Sequence, residues 1–242
     1  MSSFEKIYRV TFDDVGSNLK MTNIALMRYL VDCAGLHSES LGYGISQSKE
    51  THVGFLLTGW KIKVLNRPIL LDNLRIRTWP ETFNHSVSIR NFEIYMDDKI
   101  VALASSKWVL VDPKDHSIGH ITEDLTNAFS PEKKKVFDEP IEKLNVPEKI
   151  DRAYEYEIKR RDIDSYNHVN NIKYLEFTLD LLDKSDSSDE DAYSEVIVNY
   201  KHECLLGNVV SCSYTKQADN SCIISIQNKD KSRLYAIIKL KK

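Results

Sequence analysis

Apolar side chains recur at helical spacing twice along the chain. Ile24, Met27, Leu30 and Val31 follow Thr22, a residue type that caps helix N-termini, and predict a helix to about Ala34 that Gly35 ends. Ile172, Leu175, Leu179 and Leu182 predict a second amphipathic helix running on to Asp183. A short strand-like stretch precedes each helix, residues 4–12 and 154–159. Four more follow each: 55–65, 70–79, 87–96 and 100–111 after the first, then 195–204, 209–216, 221–228 and 234–240 after the second. Asp97-Asp98 marks a hairpin turn, and Pro68 with Asp72-Asn73 breaks the first pair of strands. Residues 36–50, polar and punctuated by glycine, predict a short helix and a loop. A helix followed by a four-stranded antiparallel meander, used twice, predicts an α+β fold rather than a doubly wound one.

Between the two sets lies a stretch of different character, with Pro131, Pro140, Pro147, the run Lys133-Lys134-Lys135 and few apolar clusters. It reads as an interdomain linker, giving an N-terminal domain over 1–112, a linker over 113–150 and a C-terminal domain over 151–242. The halves align weakly as a repeat. Asp14 through Ile24 lies against Asp162 through Ile172, and Asp72-Asn73-Leu74 opposite Gly207-Asn208-Val209. In this register Gly16 stands at Asp164, Lys20 at His168 and Pro68 at Glu203, so the polar residues that suit chemistry sit in the second copy alone.

Composition narrows the function class. With 242 residues the chain can bury a core, and a net charge of −3 leaves no nucleic-acid footprint and no basic membrane surface. No apolar run reaches the ~20 residues that span a bilayer. Cys33, Cys204, Cys212 and Cys222 show no zinc-like spacing and suit free thiols in a reducing, cytoplasmic compartment; no metal or cofactor is expected. The lysine run reads as a solvated linker face, with attraction of an acidic carrier protein as the alternative, and the acidic residues of 183–191 as solvated surface. Trp60, Trp79, Trp108, Arg77 and Arg90 read as core aromatics and paired arginines.

The chemistry-bearing stretch is the start of the second helix, where Asp164, Asn167, His168, Asn170 and Asn171 form a polar knot beside helix N–H groups. This run, with HVNN followed by Tyr174, resembles the catalytic-helix motif of the acyl-ACP thioesterases, and Tyr200-Lys-His-Glu-Cys204 resembles their Glu-Cys element. The resemblance implies a double hotdog, two helices each wrapped by an antiparallel sheet. It implies hydrolysis of a fatty acyl thioester carried by acyl carrier protein, with Asp164, His168, Glu203 and Cys204 at the family's catalytic positions, and it implies that the first domain holds the acyl chain. A second copy of the chain is a candidate partner. Glu203 is read as a general base on water, His168 and helix N–H groups as polarising the carbonyl, and Asp164 as orienting the site; the alternative makes Cys204 a nucleophile activated by His168. The family's Asn two residues after the Asp is Tyr166 here, and Asn167, one residue on, is the candidate substitute amide. Rival readings are a hotdog acyl-CoA thioesterase and a non-catalytic acyl-binding protein.

Overall fold

The computed structural model describes residues 2–182 and 192–242, so the acidic stretch 183–191 lies outside the described residues. The chain divides into two compact units, Met1–Ile141 and Glu142–Lys242. The first contains β1 (Phe4–Arg9), α1 (Asn23–Ser40), α2 (Ser48–Thr51), β2 (Gly54–Val64), β3 (Asn73–Asn84), β4 (Val87–Met96), β5 (Lys99–Val111) and α3 (Glu123–Phe129). Its strands pair antiparallel in the order β1-β3-β4-β5-β2. Helix α1 lies against β1 and β3, where Ile24, Met27, Leu30, Cys33 and Ala34 are buried with Trp60, Leu74, Ile76, Trp79 and Phe92.

Thr22 starts α1 as expected, its hydroxyl accepting the Ala25 N–H at 3.0 Å. Gly35 does not end it. The helix continues to Ser40 because buried His37 extends the apolar face by another turn, and a glycine inside a helix costs only about 1 kcal/mol. The stop is Gly42, at φ 80°: its N–H donates to Glu39 C=O and that of Tyr43 to Ser38 C=O, the paired bonds of a Schellman end. Asp97 and Asp98, at φ 47° and 61°, make the predicted hairpin turn. Strand β3 runs past Pro80, which a register shift between Pro80 and Thr82 accommodates.

Residues 113–141 of the expected linker cluster with the first unit. Thr122 caps α3, and Leu125 and Phe129 are buried against Leu110; two apolar residues one helical turn apart are a weak signal in a polar stretch. Arg77 holds Glu132 with two bonds of 2.9 Å, and Trp79 Nε1 donates to the Lys134 carbonyl at 2.9 Å. Lys134 is exposed like its neighbours Lys133 and Lys135, yet its ammonium pairs with buried Glu93 and lies over Trp79. The remaining residues up to 150 are fastened to the second unit. Leu144 N–H donates to Asn199 Oδ1, Asn199 Nδ2 to Glu142 C=O and Thr215 Oγ1 to Lys149 C=O.

The second unit contains β6 (Arg152–Glu157), α4 (Lys173–Glu176), β7 (Glu195–Tyr200), β8 (Val209–Lys216), β9 (Cys222–Asn228) and β10 (Leu234–Lys241), ordered β7-β10-β9-β8-β6, all antiparallel. The architecture is α+β and hotdog-type. The second helix is shorter than its periodicity implied. It comprises α4 and a 3₁₀ turn, Leu179–Leu181; Ile172, Tyr174, Leu175, Phe177 and Leu181 are buried while Leu179 is exposed.

Backbone hydrogen bonds establish the repeat and shift its register. Thr22 N–H to Asp14 C=O matches Asn170 N–H to Asp162 C=O, and Gly16 N–H to Lys20 C=O matches Asp164 N–H to His168 C=O, an offset of 148 residues. Beyond the helix, Met21 N–H to Pro68 C=O matches Val169 N–H to Cys204 C=O, and Val10 N–H to Asp72 C=O matches Ile158 N–H to Asn208 C=O, an offset of 136. Pro68 therefore stands at Cys204, and Arg67 at Glu203. The second copy spends 12 fewer residues between these anchors, the difference between 148 and 136.

Candidate active site

The site is built from two loops of the second unit joined by one backbone bond. In the first, Ile163 and Val169 face each other as an antiparallel bridge, and Asp164 N–H donates to His168 C=O at 2.8 Å. The turn requires a left-handed residue, and Asn167 supplies it at φ 63°, a conformation asparagine tolerates better than most. Asp164 closes the loop from inside. Its Oδ1 accepts the N–H of Tyr166 at 2.8 Å and that of His168 at 3.3 Å. Asp164 thus shapes the loop that presents His168, and Tyr166 is exposed.

The second loop leaves β7 at Tyr200 and is stiffened by Asn208, whose Oδ1 accepts Leu205 N–H at 3.0 Å, and by Gly207 at φ 78°. Val169 N–H donates to Cys204 C=O at 2.9 Å. Since His168 and Glu203 each precede a member of that bonded pair, their side chains meet: His168 Nε2 lies 3.3 Å from Glu203 Oε2. The strand predicted to reach residue 204 stops at Tyr200, so Glu203 and Cys204 sit in irregular backbone beyond its end. Glu203 is exposed toward His168, whereas Cys204 is fully buried, its Sγ 3.7 Å from Asn208 Oδ1. Burial pushes the Cys204 thiol up to about 11.

At the base of the first loop lies a residue the sequence reading passed over. Asp162 is buried; its Oδ2 accepts from Lys159 N–H and Tyr156 O–H, each at 2.8 Å, and its carbonyl receives Asn170 N–H. The signal was in the repeat: Asp14, 148 residues earlier, likewise accepts from Thr11 N–H and a tyrosine hydroxyl, that of Tyr29. Tyr200 O–H donates to Asn171 C=O at 2.8 Å and ties β7 to the start of α4. Two N–H groups at the helix start are engaged within the loop: Asn170 Oδ1 accepts that of Ile172, and the Asn170 carbonyl that of Lys173. Asp164, Asn167, His168 and Glu203 are thus brought together at the protein surface, with Cys204 adjacent but turned inward. Among the described residues no group of three or more His, Cys, Asp or Glu side chains is placed to hold a metal ion.

Residues 1–129 match the acyl-ACP thioesterase N-terminal domain, and residues 146–241 match the acyl-ACP thioesterase C-terminal domain. The chain is 21% identical to the oleoyl-acyl carrier protein thioesterase of Coriandrum sativum, over 92% of its own length and 65% of that protein's. It is 24% identical to the dodecanoyl-[acyl-carrier-protein] hydrolase of Cinnamomum camphora, over 90% and 60%. It therefore spans less than two thirds of the length of these curated relatives. Among solved structures, the acyl-ACP thioesterase of Bacteroides thetaiotaomicron superposes with a TM-score of 0.86 at 20% identity, covering 99% of this chain and 97% of that one. The 12:0-ACP thioesterase of Umbellularia californica gives 0.84 at 17%, covering 100% and 97%. These likenesses carry the fold.

Proposed function

We propose that this chain, which belongs to the acyl-ACP thioesterase family, hydrolyses a fatty acyl thioester carried by acyl carrier protein to the free fatty acid and the carrier thiol. The observation that carries the reading is the 3.3 Å approach of His168 Nε2 to Glu203 Oε2 at the surface of the second unit. Glu203 takes a proton from water as the water oxygen bonds to the thioester carbon. His168 donates toward the carbonyl oxygen, where negative charge develops. Collapse of the tetrahedral adduct breaks the carbon–sulfur bond, and the leaving thiolate receives the proton held by Glu203. Asp164 and Asn167 act through the backbone, by fixing the loop that carries His168, and Asp162 anchors that loop to the end of β6 and to Asn170. The first domain, by family resemblance, holds the acyl chain. Burial of Cys204 and its thiol near 11 favour water over a cysteine nucleophile, because the thiolate is scarce at neutral pH. Four free thiols accord with a cytoplasmic setting.

The test is a hydrolysis panel of acyl-ACPs and the matching acyl-CoAs of graded chain length. Faster turnover of the acyl-ACPs is expected. Preference for the CoA esters would move the assignment to an acyl-CoA thioesterase, and binding of acyl chains with no turnover to an acyl-binding protein.

A further inference from the structure

The repeat exposes a contrast unrelated to the catalytic pair. In the first unit, Phe12, Leu19, Ile69 and Leu71 are 77%, 51%, 50% and 57% exposed. They stand on one loop cluster. Leu71 N–H donates to Val10 C=O, Leu70 N–H to Leu19 C=O, and Lys20 bridges Ile69. By the two offsets, the second unit carries Arg160, Asn167, Leu205 and Gly207 at these places. Three of four apolar side chains are thus particular to the first copy.

Two of them occupy backbone that disfavours them. Leu19 and Leu71 are left-handed, at φ 60° and 75°, where the second copy has Asn167 at 63° and Gly207 at 78°. A residue with a branched side chain pays for that conformation where asparagine or glycine does not. The first copy therefore presents leucines to solvent at positions where both backbone preference and hydration disfavour them, the signature of a surface that meets something apolar.

We propose that this cluster is a shallow lipid-contact site by which the protein rests on a bilayer surface. At roughly 100 Å² for each half-exposed side chain, the four offer about 400 Å², half the ~800 Å² per partner that a stable protein interface buries. A bilayer imposes no such minimum, since partitioning scales with inserted apolar area. Of the charged residues on these loops and at the start of α1, Arg9, Asp13, Lys20 and Arg28 are exposed, Arg67 and Asp72 are half-buried, and Asp14 is buried 3.6 Å from Arg28, so a modest attraction to anionic headgroups adds to insertion. Among the described residues no helix is long and apolar enough to cross a membrane, so the contact is peripheral.

The test is flotation of the full chain with phosphatidylcholine vesicles, with and without a third of anionic phosphatidylglycerol. The wild type should float with both, and more strongly with the anionic vesicles. Leu19→Asn and Leu71→Gly import the second copy's residues, so thermal stability should hold or rise, while each removes on the order of 100 Å² of apolar surface and weakens partitioning about tenfold or more. Ile69→Thr is an independent third variant with the same expected direction. A wild type that stays with the soluble fraction overturns the proposal, as does a Leu19→Asn/Leu71→Gly double variant that floats as well as the wild type. Concentration-dependent self-association of the wild type, abolished in the double variant, would overturn it in favour of a second copy as the occupant.

Discussion

Burial pushes the Cys204 thiol up to about 11, so its thiolate is scarce at neutral pH, and its Sγ is turned away from the surface where His168 and Glu203 meet. Cys204→Ala should accordingly keep turnover within a few-fold, while Glu203→Gln and His168→Ala each lower it by ~10² or more with the fold intact. Rapid quenching with labelled acyl substrate checks this, and a thiol-linked acyl group on Cys204 formed at a competent rate would reverse the assignment. At Asn167 the backbone decides. Asn167→Gly should leave stability and turnover nearly unchanged, and Asn167→Val should cost about 1–3 kcal/mol in denaturant unfolding because a β-branched residue resists φ 63°. Asp164, Asn167, His168 and Glu203 were named from a polar run and a Glu-Cys pair that resemble a family motif, and what the structure adds is their geometry, with His168 and Glu203 3.3 Å apart. Whether Glu203 and Cys204 share a face was not legible, since it depends on where β7 stops, and Asp162 was hidden because a carboxylate's burial is set by tertiary neighbours.

At the scale of elements, β4 was legible to the residue because its bounds fall on sharp turns, Asp97-Asp98 at one end. The end of α1 was not. Gly35 and Gly42 look alike in sequence, and only packing of His37 distinguishes an interior glycine from a terminal one. Nothing lies within 4 Å of a methyl group placed on Gly35, so Gly35→Ala should stabilise the protein by about 0.5–1 kcal/mol, readable as a raised Tm. The same change at Gly42, with φ 80°, should destabilise. The turns holding Asp14 and Asp162 make a matched pair. Asp14→Asn and Asp162→Asn each weaken a buried network and should lower stability by similar amounts, on the order of 1–3 kcal/mol. Only Asp162→Asn should also slow hydrolysis in the fraction that remains folded.

For the molecule as a whole, acid and alkali should act through different groups. Burial pushes the Asp14 carboxyl up, but bonds from the Thr11 hydroxyl, the Tyr29 hydroxyl and Thr11 N–H, with the charge of Arg28, outweigh it and hold Asp14 below the usual range. Burial likewise raises Glu93, and bonds from Lys134 and Tyr95, with the charges of Lys134 and Arg77, bring it below. A depressed folded-state pKa gives stability that is present above about pH 4 and lost as pH falls through the lower folded value. Both groups belong to the first unit, as do Trp60, Trp79 and Trp108, so tryptophan fluorescence should report their loss as the pH falls. Alkali works on the buried thiols: Cys33 and Cys212 at about 12, with Cys204 and Cys222 at about 11, are raised by burial, so stability is whole below about pH 8.5 and declines above it in both units. The paired offsets have one more consequence. A chain that folds the same turn twice, with Lys20 and Arg67 in one and His168 and Glu203 in the other, contains its own unwired socket. Lys20→His with Arg67→Glu, made in a protein already carrying His168→Ala, asks how much of a catalyst resides in two side chains held at a set spacing and how much in the loops that hold them.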